Sequence, residues 1–182
     1  MSLVKITPPE FAVELEIAYA SANNFTGKPV YKKPDAYLHP AAAELLQNAI
    51  KLASAAGFGV KIFDAYRPTE AQWKLWEHTP DPHFLAHPAS GSAHSRGVAV
   101  DLTLTQNGKE LDMGTAFDAF TPKSFHSNTE ISAEAQINRK ILLGIMTAAG
   151  WDYYENEWWH YQLFNPRAYR LYSDAELKLG MM

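Results

Sequence analysis

One carboxylate, Asp101, stands inside the apolar run Val98–Leu104. Val98, Val100, Leu102 and Leu104 alternate with Ala99, Asp101 and Thr103, the period of a β-strand. Asp101 therefore leaves the strand on the face opposite the bulky apolar residues. A carboxylate in mid-strand is costly to bury unless it is paired or bound to metal. Whatever this chain folds into must supply Asp101 with a partner.

A histidine is close enough to provide one. His94 precedes the strand across Gly97, and a turn at Gly97 would fold it back beside Asp101. A second imidazole, His160, sits in Glu155-Asn156-Glu157-Trp158-Trp159-His160-Tyr161 near the start of another strand. Alternation there puts Trp158, His160 and Gln162 on one face. Glu157 has the opposite parity and joins them only if it lies in the turn before the strand. Two imidazoles and one carboxylate would make a three-ligand zinc site with an open fourth position, the catalytic kind. Bland alternatives stand beside this: a loop histidine, a capping carboxylate and a core histidine. The spacing His-x6-Asp does not choose among them and is not the helical His-Glu-x-x-His motif. The chain has no cysteine, so disulfides and thiolate ligands are excluded.

The remaining pattern predicts an α+β fold with a mainly antiparallel central sheet flanked by helices. Strand patterning covers Val13–Tyr19, Phe58–Phe63, Val98–Leu104 and Trp158–Leu163, and Asn107-Gly108 marks a hairpin turn. Helices are expected over Ala41–Ala56, from Thr69 through a capping box with Gln72, and from Ser132 to Gly150. The last should bury Ile137, Ile141, Leu142, Ile145 and Met146. Trp73, Trp76, Trp158 and Trp159 are expected in the core. His39, His78, His83, His87 and His126 are expected in surface loops without a role. With 182 residues and no linker or repeat, one domain over 1–182 is expected. Net charge is -4 with scattered basic residues, so no nucleic-acid partner is expected. No apolar run reaches membrane-spanning length, and the start lacks a basic, then apolar leader; a cytoplasmic location is the expectation.

Several separate stretches together resemble the D-alanyl-D-alanine dipeptidases of the vancomycin-resistance type. These belong to a wider zinc D,D-peptidase family related in fold to hedgehog domains. The stretches are Asn24-Phe25-Thr26-Gly27-Lys28-Pro29, Tyr66-Arg67-Pro68, and Ser92-x-His94-Ser95-Arg96-Gly97-x-Ala99-x-Asp101-Leu102-Thr103-Leu104. Met113-Gly114 with Phe117-Asp118, and Glu157-Trp158-Trp159-His160-Tyr161, complete the set. The resemblance implies one Zn2+ per chain on His94, Asp101 and His160. It implies Glu157 as catalytic base and Arg67 as stabiliser of the tetrahedral intermediate. Asp118 and Tyr19 match positions that recognise the free amino group of a small D,D-dipeptide, Ser92 lies near the same end, and Asp64 would orient Arg67. The implied substrate is D-Ala-D-Ala. A related carboxypeptidase or endopeptidase on longer stem peptides, and a non-catalytic metal-binding module, are the competing readings. The stretch between Trp76 and Ser92 is shorter than in the vancomycin-resistance members. Oligomeric state is open.

Overall fold

The computed structural model describes residues 2–182. Among the described residues, eight strands and four helices form an α+β fold with a mixed sheet. The strands are β1 (Val4–Ile6), β2 (Val13–Leu15), β3 (Ala36–Leu38), β4 (Gly59–Asp64), β5 (Ala99–Gln106), β6 (Lys109–Glu110), β7 (Asp152–Tyr153) and β8 (His160–Gln162). The helices are α1 (Pro40–Ala55), α2 (Thr69–His78), α3 (Ala133–Ala148) and α4 (Asp174–Leu177).

The main sheet runs β2-β4-β5-β8-β7, with β6 hairpinned onto the far end of β5. Every pairing in it is antiparallel except β2 with β4, which is parallel. The expected mainly antiparallel sheet is therefore present, with one parallel edge. Asn107 and Gly108 both take positive φ, 53° and 73°, as a tight hairpin turn requires. β1 and β3 form a separate antiparallel pair.

β5 is the spine of the molecule. Ala99 to Thr105 are all buried, including Val100, Leu102 and Leu104, which have no exposed surface. α1 packs on β4 and on α3, and α3 reaches β7. Ser132 caps α3 by accepting from the Ala135 amide at 3.0 Å, as its sequence suggests. Among the described residues no helix is long and apolar enough to cross a membrane.

Several expectations need correction. The strand expected over Val13–Tyr19 stops at Leu15, and Ala18–Ala20 is a single 3-10 turn that turns Tyr19 into the core. Likewise β8 begins only at His160, because Trp158 and Trp159 belong to the preceding turn. Ile137 is 57% exposed rather than buried. The inward face of α3 instead carries Ala135, Asn138, Arg139, Leu142 and Met146. Asn138 and Arg139 turn inward because they donate to the carbonyls of Asp112, Met113 and Phe125. Trp73 is 45% exposed, since α2 buries Ala71, Gln72 and Leu75. Thr69 does not cap α2; Pro68 occupies that position and Gln72 is drawn away by other partners. His126 is partly buried against Tyr153 and Tyr161 rather than a free surface histidine. His39 is the N-cap of α1, its Nδ1 accepting from the Ala41 amide, and His78 ends α2 rather than lying in a loop.

Candidate metal and catalytic site

The sheet register brings distant residues into one row. Asp101 on β5 is paired with His160 on β8 and, beyond a bulge, with Asp64 on β4. His94 enters from the 3-10 turn His94–Arg96, which ends at Gly97 with φ 68°. That turn does what the spacing required. A Cβ at Gly97 would lie 3.2 Å from the His39 amide nitrogen, besides the cost of a positive φ. His94 is returned to within 3.2 Å of Asp101, Nε2 to Oδ1.

The three donor atoms form a near-equilateral triangle. His94 Nε2 to His160 Nδ1 is 3.1 Å, His160 Nδ1 to Asp101 Oδ1 is 3.0 Å, and the third edge is 3.2 Å. All three residues are buried. Each outer nitrogen has an acceptor of its own. His94 Nδ1 lies 2.7 Å from the Ala65 carbonyl, which can only accept, so Nδ1 carries the proton and Nε2 a lone pair. His160 Nε2 lies 3.2 Å from Gln162 Oε1, and an Nε2–H donating to that oxygen leaves Nδ1 with its lone pair. In those tautomers the two nitrogens and Asp101 Oδ1 turn three lone pairs to one point, the arrangement a cation satisfies. Tetrahedral zinc with bonds of about 2.0–2.1 Å sets its donors roughly 3.3–3.4 Å apart, close to the observed triangle. The donor set fits the ion, and His94, Asp101 and His160 form a cluster able to hold a metal.

Around the triangle lie the other expected residues. Arg67 is buried just beyond β4. Its Nε donates to Asp64 Oδ2 at 2.9 Å and one terminal nitrogen to Gln72 Oε1 at 3.1 Å. The other terminal nitrogen stands 3.6 Å from Asp101 Oδ2. The guanidinium also stacks over Tyr19, 5.0 Å from the ring centre. Asp64 accepts from Tyr31 as well, at 2.9 Å. Glu157 does lie in the turn before β8: its amide donates to Tyr154 and its carbonyl accepts from His160. Its Oε2 comes within 3.8 Å of His160 Nδ1. The parity objection from the sequence is thereby removed. Tyr19 donates to Asp118 Oδ1 at 3.2 Å, while Asp118 Oδ2 is buried without a hydrogen bond. Asp118 holds φ 59°, a conformation few residues other than glycine adopt. Ser92 accepts from the His94 amide at 3.2 Å.

The triangle, Arg67, Glu157, Tyr19, Asp118 and Ser92 line one cavity of about 250 Å³, with Phe84, Phe120 and Tyr154 on its wall. Sites for drug-sized ligands run about 300–1,000 Å³, so this one suits a smaller molecule. Its electrostatics favour a cation. Asp64, Asp101, Asp118 and Glu157 face the single guanidinium of Arg67. Burial, and then the Asp101 charge, push Glu157 and Asp118 well above the usual carboxylate range, against the pull of Arg67.

The sequence reading did not single out Gln72, Tyr31 and Gln162, which brace Arg67, Asp64 and His160. Gln72 stands out in the sequence only as a capping partner and Gln162 only by sharing the His160 face, while Tyr31 has no local mark, its partner Asp64 lying 33 residues on. Gln72 also donates to the Ala86 carbonyl at 2.8 Å, tying the loop after α2 to the site.

The family model described as D-ala-D-ala dipeptidase matches residues 4–177. A D-alanyl-D-alanine dipeptidase of Escherichia coli is 40% identical over 163 residues, 89% of this chain and 84% of its own length. One of Enterococcus faecium is 34% identical over 188 residues, covering 91% of this chain and 93% of its own. A solved vancomycin-resistance D,D-pentapeptidase, a VanY variant in complex with Zn(II), overlaps 73% of this chain and 76% of its own. It does so at 18% identity and a TM-score of 0.48. By the extent of the family match and of these relatives, the chain belongs to the D-ala-D-ala dipeptidase family.

Proposed function

We propose that this protein is a zinc-dependent dipeptidase that hydrolyses free D-Ala-D-Ala. The observation that carries the reading is the convergence of His94 Nε2, His160 Nδ1 and Asp101 Oδ1 at 3.0–3.2 Å from one another. Family membership and the names of the relatives support the substrate. Bound zinc supplies a Lewis acid and brings the pKa of a coordinated water to about 7.

The chain's own residues carry the rest. Glu157 takes the proton from the attacking water and returns it to the amide nitrogen as the C–N bond breaks. Such proton transfer is worth roughly 10²–10⁴-fold. Arg67, fixed by Asp64 and Gln72, presents its charge beside Asp101 and stabilises the oxygen that becomes negative. Asp118 and Tyr19 receive the substrate's ammonium. The buried, unbonded Asp118 Oδ2 supports this, because an ammonium would complete its hydrogen bonding. Ser92 lies beside the same cavity and holds the His94 turn.

The test is release of D-alanine by zinc-loaded protein from a panel of L,L, L,D, D,L and D,D dipeptides, with N-acylated and longer peptides alongside. The reading requires hydrolysis of D-Ala-D-Ala, rejection of blocked amino termini, and loss of turnover in Glu157→Ala with zinc retained. Preference for longer stem peptides would instead support a carboxypeptidase or endopeptidase.

A further inference from the structure

The two imidazoles of the triangle are held by different kinds of partner. His94 Nδ1 is bonded to the Ala65 backbone carbonyl, which no substitution at position 65 removes. His160 Nε2 is bonded to a side chain, Gln162 Oε1, at 3.2 Å. Gln162 is two residues on in the same strand, so both side chains leave β8 on one face. The backbone of Gln162 is fixed from both sides, opposite Ala99 on β5 and Asp152 on β7. Ala99 lies on the same face of β5 as Asp101, and its single methyl leaves room for the Gln162 amide beside the imidazole. Gln162 itself borders the cavity.

An imidazole free to choose would place its proton on either nitrogen. With the proton on Nδ1, His160 would point a hydrogen at Asp101 and at His94, and one of the three lone pairs would be lost. The acceptor at Nε2 biases the ring towards the other tautomer. It also fixes the ring plane, so that Nδ1 stays 3.0 Å from Asp101 Oδ1. A hydrogen bond to the outer nitrogen further raises the basicity of the inner one.

We propose that Gln162 is a positioning residue that locks His160 in the tautomer and orientation that present Nδ1 to the metal. This rests on the zinc reading above. It goes beyond it by placing the affinity of the site partly in a residue that touches neither metal nor substrate.

The experiment measures zinc dissociation constants by chelator competition for the wild-type protein, Gln162→Leu and Gln162→Glu, with melting temperatures of the same samples. Gln162→Leu should bind zinc at least about tenfold more weakly, within the 10–100-fold typical of such outer partners. Gln162→Glu keeps an acceptor and should bind at least as tightly as wild type. Nitrogen-15 NMR of the zinc-loaded wild-type protein should show His160 protonated at Nε2, and this proton pattern should be lost in Gln162→Leu. The proposal is overturned if Gln162→Leu loses less than tenfold, or if Gln162→Glu is weakened as much as Gln162→Leu. A wild-type protein that binds no zinc would instead refute the metal reading itself, a separate outcome. Should Gln162→Leu fail to fold, Gln162→Met, unbranched and of similar length but without the amide oxygen, takes its place under the same tenfold criterion.

Discussion

The Tyr19 hydroxyl donates to Asp118 Oδ1 at 3.2 Å, joining two residues 99 positions apart and leaving Oδ2 buried and unbonded. One oxygen of this carboxylate is satisfied by the protein and the other is reserved. If the reserved oxygen receives the substrate ammonium, Asp118→Asn should lower kcat/KM for a free dipeptide by about 10–100-fold, the value of a hydrogen bond to a charged group. Stability should hold or rise, because a buried carboxylate with one unmet oxygen is replaced by a neutral amide. Steady-state kinetics and a thermal melt on one preparation check both. Unchanged kinetics would remove Asp118 from substrate recognition.

Arg67 is expected to be intolerant of its nearest relative. Its fork spans Asp64, Gln72 and the approach to Asp101, a geometry that an ammonium cannot reproduce. Arg67→Lys should keep a positive charge beside Asp64 and fold, yet lose about 10²–10³ in kcat. Arg67→Ala should instead destabilise by about 3–5 kcal/mol, since Asp64 would remain buried without its counter-charge. Comparing kcat and urea midpoints of the two variants separates the roles.

Gly97→Ala tests how His94 is brought into place. The new Cβ would meet the His39 amide nitrogen at 3.2 Å in a residue held at φ 68°. Strain of this kind costs on the order of 1–3 kcal/mol. Because the same turn carries His94, zinc affinity should fall together with the melting temperature. A drop in stability with zinc affinity intact would show that the turn is dispensable for the site.

His126 should make the fold acid-sensitive. Burial lowers its pKa from 6.5 to about 4, so the folded protein resists a proton that the unfolded chain accepts. Its contribution is complete above pH 6.5 and is lost as the pH falls from 6.5 towards 4. At pH 5 the loss is about 2 kcal/mol. His126→Phe keeps the ring against Tyr153 and Tyr161 but cannot titrate. Urea midpoints at pH 7.5 and 5 should diverge less for this variant than for wild type.

Much of the site was legible because its parts lie on strands whose alternation is strong. The buried run Val98–Leu104 placed Asp101 on the minority face, and the ladder then set it opposite His160. Glu157 could not be placed by parity, since its position depends on a turn rather than a strand. Ile137 was misassigned because helical periodicity counts apolar residues. Asn138 and Arg139 were buried by hydrogen bonds to carbonyls of a distant loop, which no periodicity reveals. Gln72 escaped for the same reason, its partners Arg67 and Ala86 being set by the tertiary fold, whereas Gln162 shares the His160 face without the pattern showing what it bonds. The exposed Trp73 marks the limit of reading a large apolar residue as core.

The most direct test is anomalous diffraction at the zinc edge from crystals of the zinc-loaded protein. The account predicts one peak per chain within about 2.0–2.2 Å of His94 Nε2, His160 Nδ1 and Asp101 Oδ1, with a fourth position open to the cavity. A protein that takes up zinc stoichiometrically but shows its peak elsewhere, or bonded to only one of the three side chains, would contradict it.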